Sequence, residues 1–158
     1  MNLIIIAAVG KNNELGLNNE LIWRIKEDLQ FFKEKTTNHF IVMGKNTFLS
    51  LHGLLPNRKH LVISSTFKET ENVKVYRSID EFLNDETLKD EQVYVIGGAS
   101  IYKELLEYTN LMYLTLIDEE STADAFFPFF DKEEWYEELL GEYNDKYLSY
   151  KRVLYKRK

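Results

Sequence analysis

Short, wholly apolar runs alternate along this chain with segments whose apolar positions recur at helical spacing. Leu3-Ile4-Ile5-Ile6-Ala7-Ala8-Val9 has no polar member and is rich in β-branched residues. That pattern predicts a strand buried on both faces, as in the middle of a sheet covered by helices. Phe40–Met43 and Val93–Ile96 repeat it, and His60–Ser64, Val73–Tyr76 and Leu111–Ile117, apolar apart from one or two positions each, predict further strands. Ile25, Leu29 and Phe32 stand at i, i+4 and i+7, which predicts a helix reaching about Lys35. Asp28 falls at the border of that stripe, and Glu27 is read on the opposite, wet side. Ser78-Ile79-Asp80-Glu81 is a capping box opening a helix through Phe82 and Leu83. Trp135–Tyr143 and Tyr147–Tyr155 read as an antiparallel hairpin turning at Asn144-Asp145.

The segments left over are polar or glycine-rich. Gly10 to Glu20, with Asn at 12, 13, 18 and 19, is predicted to be a loop, long enough to act as a lid or simply to connect. Met43-Gly44-Lys45-Asn46-Thr47 and Ile96-Gly97-Gly98-Ala99-Ser100 each run from a strand through glycine into a helix carrying Phe48 or Ile101. Such junctions offer free N–H groups to phosphate, although a plain tight turn explains a lone Gly pair as well. The basic residues Lys151, Arg152, Lys156, Arg157 and Lys158 are read as a solvated edge. Strands alternating with helices predict an α/β domain spanning 1–158, with a mostly parallel sheet, flanking helices and a C-terminal antiparallel hairpin. In such a sheet ligands gather at the carboxyl ends of the strands.

Composition narrows the function. The 158 residues suffice to bury a core without a staple. There is no Cys, which excludes disulfides, thiolate metal sites and a Cys nucleophile, and suits a reducing compartment. His39, His52 and His60 are far apart, so no metal site is expected. The net charge of −6 argues against nucleic acid as a partner. No apolar run is long enough to span a membrane, and neither a signal peptide nor an anchor is read. Asp28 is the residue that asks for an explanation. A carboxylate on an apolar stripe is costly unless paired. It is either a first-turn acid favoured by the helix dipole or a pocket carboxylate awaiting a cationic or amide-like ligand.

Several separated motifs resemble one family, the bacterial chromosomal-type dihydrofolate reductases. They are Ile6-Ala7-Ala8, Gly16 with Trp23, Asp28-Leu29 with Phe32, Val42-Met43-Gly44-Lys45-Asn46-Thr47, Leu55-Pro56 with Arg58, Ser64-Ser65, Val95-Ile96-Gly97-Gly98 with Tyr102, Leu114-Thr115, and Asp124 before Phe127-Pro128. They follow the family's order and spacing over nearly the whole chain.

The resemblance implies an eight-stranded sheet that binds NADPH and 7,8-dihydrofolate, with hydride passing from nicotinamide C4 to pterin C6 and a proton to N5. By this match Asp28 holds the pterin, Thr115 supports it and Trp23 positions a water. Ile6, Ala8, Leu21, Leu29, Phe32, Leu55, Ile96 and Tyr102 wall the substrate, and Arg58 takes the glutamate tail's carboxylate. The cofactor is expected against Ala8, Gly16, Leu17, Gly44, Lys45, Asn46, Thr47, Ser64, Ser65, Arg77, Ile96, Gly97, Gly98, Ala99, Ser100, Ile101 and Tyr102. A cis Gly97–Gly98 peptide is implied, with residues 16–21 as a lid, and so is a cytoplasmic monomer. Departures are Ile22 and Lys26 where the family often has Pro, Ser100 where Arg is frequent, and Asn46 where some members carry His. Two alternatives stay open here: a same-fold reductase of another pterin or pyrimidine, and a folate- or nucleotide-binding module without turnover.

Overall fold

The structure, a computed structural model, describes residues 1–144 and 146–158. Asp145, at the predicted hairpin turn, lies outside the described residues. The apolar runs form the central strands: β1 (Asn2–Val9), β4 (Phe40–Gly44), β5 (Lys59–Ile63), β6 (Val73–Tyr76), β7 (Gln92–Val95) and β8 (Thr109–Ile117). The hairpin strands β10 (Trp135–Asn144) and β11 (Ser149–Arg157) complete an eight-stranded sheet in the order β10-β11-β8-β1-β7-β4-β5-β6. From β8 to β6 every neighbouring pair is parallel; β11 is antiparallel to both β8 and β10.

Period-two alternation splits each strand between two cores. Leu3, Ile5 and Val9 join Met112, Leu114, Val153 and Tyr155 on one face, which also packs α3 (Ile79–Leu83) through Phe82 and α4 (Ala99–Leu105) through Ile101 and Leu105. Ile4 and Ile6 join Ile41, Met43, Val62 and Tyr94 on the other. There they meet Phe31 and Phe32 of α1 (Lys26–Thr36) and Phe48 of α2 (Lys45–Ser50). Each such aliphatic or aromatic side chain withdrawn from water contributes about 1.5–3 kcal/mol, so the alternating register strongly favours one pairing. Ser78 Oγ caps α3 by accepting from the Glu81 N–H at 3.1 Å, as the capping box predicts.

Two expectations need correction. Residues 10–20 are not a featureless loop. β2 (Glu14–Leu17) and β3 (Glu20–Leu21) form a hairpin turned by Asn18 and Asn19 in the left-handed region, and β9 (Ala125–Phe126) adds to β2 as a third strand. Asn tolerates positive φ better than other side-chain residues, which explains the Asn pair. Secondly, Ile25 caps α1 from outside the helix, and Leu29 is 41% exposed. The residues that α1 turns away from water are Asp28, Phe31, Phe32, Lys35 and Thr36. The buried stripe is therefore rotated so that Asp28 lies within it.

Candidate active site

Because β1, β4, β5, β6 and β7 are parallel, their carboxyl ends share one edge. The segment leading to the β2–β3 hairpin, Gly44, Ser64, Arg77 and Gly97-Gly98 leave the sheet there. Three adjacent strands also align Ala8, Thr115 and Arg152 in one row. Asp28, in the first turn of α1, meets this row. Thr115 Oγ1 donates to Asp28 Oδ1 at 2.5 Å, and Thr115 is buried. The Asp28 side chain is 19% exposed, and no described residue donates to its Oδ2.

The apolar residues expected to wall the substrate mostly cluster on the sheet face that α1 covers. Ile6 shares a cluster with Phe32, Leu55 and Ile96. Tyr102 reaches through the sheet edge to donate its hydroxyl to the Ile6 carbonyl at 2.8 Å. Its buried position pushes the phenol well above its ordinary range, so it stays a neutral donor. Leu21 and Leu29 are not drawn into this cluster; they stand 49% and 41% exposed at the rim. Trp23 packs on the Gly10 backbone, where an added Cβ would lie 2.5 Å from its ring.

Arg58 lies at the far end of α1. Its Nη1 donates to Thr36 Oγ1 at 3.1 Å, its Nε to the Pro56 carbonyl at 3.0 Å, and its guanidinium sits 6.0 Å from the Phe32 ring centroid. Partial burial lowers its pKa, and among the described residues no carboxylate lies within 4.0 Å of it. His60 shapes this loop: Nε2 accepts from the Leu55 N–H at 3.0 Å, and Nδ1 lies 3.2 Å from the Arg58 carbonyl. Burial holds the imidazole below its ordinary pKa, which favours the neutral ring that can accept from Leu55.

At the second part of the edge, the Gly97–Gly98 peptide is cis and Gly97 has φ +129°. The Gly44 N–H donates to the Gly97 carbonyl at 2.9 Å, joining the two glycine junctions. A Cβ at Gly97 or Gly98 would stand 3.4 Å from Thr47 Oγ1, and one at Gly44 would stand 3.3 Å from Ile101. Gly44 and Gly98 cap α2 and α4 without a side chain covering the first N–H groups. Lys45, Asn46, Ser65, Arg77 and Ser100 are exposed around them, and Ala99 is half-buried. Lys45 Nζ lies 3.5 Å from Thr66 Oγ1, Ser64 Oγ accepts from the N–H groups of Thr66 and Phe67, and Arg77 Nη1 donates to the Ser64 and Phe67 carbonyls. This donor-rich, glycine-lined edge fits a pyrophosphate-bearing dinucleotide.

Comparison with known proteins agrees with this geometry. The family model described as "Dihydrofolate reductase" matches residues 2–157. The chain belongs to the dihydrofolate reductase family. The dihydrofolate reductase of Buchnera aphidicola (subsp. Acyrthosiphon pisum) is 40% identical over 147 residues, covering 92% of this chain and 91% of its own. That of Bacillus subtilis is 38% identical over 131 residues, covering 82% and 77%. Among solved structures, dihydrofolate reductase from Enterococcus faecalis complexed with NADP(H) and RAB-propyl superposes with a TM-score of 0.86. It is 30% identical over 99% of this chain and 96% of its own.

This reductase carries a feature that the pattern of its sequence concealed. Arg152 is not on a solvated edge; it is 2% exposed. Its Nη2 donates to Asp28 Oδ1 at 2.7 Å and to Glu27 Oε1 at 2.8 Å, and its Nη1 to Glu27 Oε2 at 3.1 Å. Glu27 keeps an exposed side chain, as expected, but its carboxylate is not free: it also accepts from Tyr150 Oη at 2.9 Å. Arg152 holds the Glu27 carboxyl below its ordinary range, against an upward push from burial. Burial alone would lower the guanidinium, but the two carboxylates outweigh it and raise it. Burial, then Glu27, raises the Tyr150 phenol. Arg157 is also drawn in, donating to the Leu106 and Thr109 carbonyls over the Trp135 ring, whereas Lys151, Lys156 and Lys158 are exposed as expected.

The anchoring of the β2–β3 hairpin by Glu14, and the part that Asp124 plays in it, were not read from the sequence. The buried carboxylate Glu14 accepts from the N–H groups of Asn12 at 2.7 Å and Ser121 at 2.8 Å. Asp124 accepts from the Asn18 N–H at 3.0 Å and donates its own N–H to the Gly16 carbonyl. Gly16 and Leu17 are thereby held half-buried. An acid inside a short alternating stretch was the available signal for Glu14.

Proposed function

We propose that Asp28 is the carboxylate that binds the pterin as this chain reduces 7,8-dihydrofolate to tetrahydrofolate with NADPH. The chain is an NADPH-dependent oxidoreductase, and the hydride that reaches pterin C6 is supplied by the cofactor when bound. The observation that carries the assignment is the state of the Asp28 carboxylate: Oδ1 is saturated by Thr115 and Arg152, and Oδ2 is left to a ligand. A pterin offers an amino group and a ring nitrogen at the spacing that a carboxylate accepts. Ile6, Ala8, Phe32, Leu55 and Ile96 exclude water around the ring, and the rim residues Leu21 and Leu29 cover the bound substrate. Exclusion of water strengthens the pull of Asp28 on a protonated pterin. Trp23 orders the water through which the proton reaches N5, and Tyr102, fixed to the Ile6 carbonyl, sets the depth of the ring. Arg58, half-buried beside Phe32, pairs with the carboxylate of the substrate's tail.

The cofactor is held by Gly44, Gly97, Gly98, Ala99, Ile101 and Thr47 at its centre, and by Lys45, Asn46, Ser64, Ser65, Arg77 and Ser100 at its phosphates. Gly16 and Leu17 carry the lid over the nicotinamide. Residues 1–158 act as one catalytic unit, a monomer of the cytoplasm without a nucleic-acid partner. The acidic balance and the lack of Cys support this. No helix among the described residues is long and apolar enough to cross a membrane.

The test is NADPH oxidation on addition of dihydrofolate, run with wild type, Asp28→Asn and NADH in place of NADPH. Oxidation that requires dihydrofolate, collapses in the mutant and prefers NADPH is expected. Saturable binding of both ligands without turnover would leave a binding module instead. Wild-type turnover in the mutant would remove Asp28 from the mechanism.

A further inference from the structure

A buried guanidinium is expensive unless its donors are met, and those of Arg152 are met with unusual completeness. Nη2 serves Asp28 and Glu27, Nη1 serves Glu27 with Tyr143 Oη at 3.3 Å, and Nε points at Thr115 Oγ1, 3.4 Å away. Aromatic rings surround the guanidinium: Cζ lies 3.9 Å from the Phe31 centroid and 5.3 Å from that of Tyr143, which stacks on Tyr150. The group is oriented from all sides, and its orientation directs it at the carboxylate that faces the substrate. One guanidinium against two carboxylates leaves one formal negative charge. Arg152 alone would cancel Asp28. Glu27, 42% exposed and adjacent in sequence, draws off part of that charge.

We propose that Arg152 and Glu27 are paired positioning residues for Asp28. Arg152 pins Oδ1 so that Oδ2 is presented to the pterin, and Glu27 balances Arg152 so that the presented carboxylate keeps its net negative charge. The proposal rests on the reading of Asp28 as the pterin carboxylate. It makes the strength of substrate capture depend on charge balance rather than on Arg152 as a structural plug.

Four variants test it by dihydrofolate Kd, KM, kcat and NADPH Kd. Glu27→Gln leaves the pair neutral and raises dihydrofolate KM and Kd about tenfold, the scale of one charge-assisted hydrogen bond, with kcat and NADPH Kd changed far less. Glu27→Asp keeps the charge and stays close to wild type. Arg152→Met releases Oδ1 and lowers kcat/KM. In the double variant Glu27→Gln/Arg152→Met, Asp28 again carries the sole charge, and KM returns toward the wild-type value from that of Glu27→Gln. A structural plug predicts the reverse, with the double at least as impaired as the worse single, and that result overturns the proposal. If the Arg152 variants do not fold, the exposed Glu27 pair decides: equal KM for Gln and Asp refutes it. Asp28→Asn run alongside separates the two readings. Lost binding there with an unaffected Glu27→Gln sinks only the charge balance, whereas retained binding there sinks the pterin assignment itself.

Discussion

Thr115→Val deletes one hydroxyl from the floor of the site at nearly constant volume. The bond lost is short, 2.5 Å, buried, and made to an ionised acceptor. Hydrogen bonds to charged groups contribute about 1.5–3 kcal/mol. If that support is felt fully in the transition state, kcat/KM falls by roughly ten- to a hundredfold. Arg152 still holds Oδ1 at 2.7 Å, which places the expectation toward the lower end, about ten- to thirtyfold. Part of the loss in stability is offset, because Val hides a methyl where Thr hid a hydroxyl. A net cost of about 1 kcal/mol would lower Tm by roughly 2–4 °C for a chain of this size. The assay is initial-rate NADPH oxidation across dihydrofolate concentrations, with thermal melting and NADPH titration on the same samples. A variant within twofold of wild-type kcat/KM, while Asp28→Asn is inactive, would refute the claim that Thr115 sets the carboxylate. An equal loss of NADPH affinity would show that the substitution had disturbed the fold instead.

Arg58→Ala should raise dihydrofolate KM by about a hundredfold, the scale of losing a buried partner for a carboxylate, and should leave NADPH affinity intact. A substrate analogue lacking the glutamate tail should bind both forms equally; a matching loss with that analogue would remove Arg58 from tail recognition. Glu14 predicts a pH dependence. Burial pushes its carboxyl up, but its own N–H and those of Ser121 and Asn12 outweigh this and lower it below 4.5. The folded form therefore binds this proton less readily than the unfolded chain, and the contribution to stability is present above pH 4.5 and lost as pH falls through the folded pKa. Glu14→Gln should be less stable than wild type at neutral pH, with the gap narrowing on acidification in denaturant melts. A gap that is constant with pH would contradict the role of its charge.

How much of this was legible depends on where each residue's partners lie. The central strands and both glycine junctions were visible because continuous β-branched runs ending in Gly have few other uses, and the sheet edge that gathers Asp28, Gly44 and Gly97 followed from topology. The small sheet was not, because β2 and β3 are very short, sit among polar Asn-rich turns, and are completed by Ala125-Phe126 more than a hundred residues away. Leu29 was misassigned because the apparent stripe counted Ile25, which precedes the first helical turn. Arg152 was hidden by its company among five basic residues. The legible cue was the alternation of β11: Tyr150, Arg152 and Leu154 share a face, so Arg152 breaks an apolar row as Asp28 does on α1. Two opposite charges on facing apolar rows point to each other once the rows are known to meet.

The place of β11 in the sheet also sets when Asp28 gains its guanidinium. It follows β10 in the chain, yet it lies between β8 and β10 and brings Arg152 to Asp28. During synthesis the nascent chain can complete β1, β4, β5, β6, β7 and β8 while β8 still has a bare edge and Asp28 lacks its guanidinium. β10 has no partner until β11 arrives, since it pairs with nothing else in the sheet. Edge closure at β8 and the pairing of Asp28 with Arg152 are thus completed in one step, once β11 has been made. Up to then the exposed β8 edge is the part of the molecule most in need of shelter from misplaced pairing.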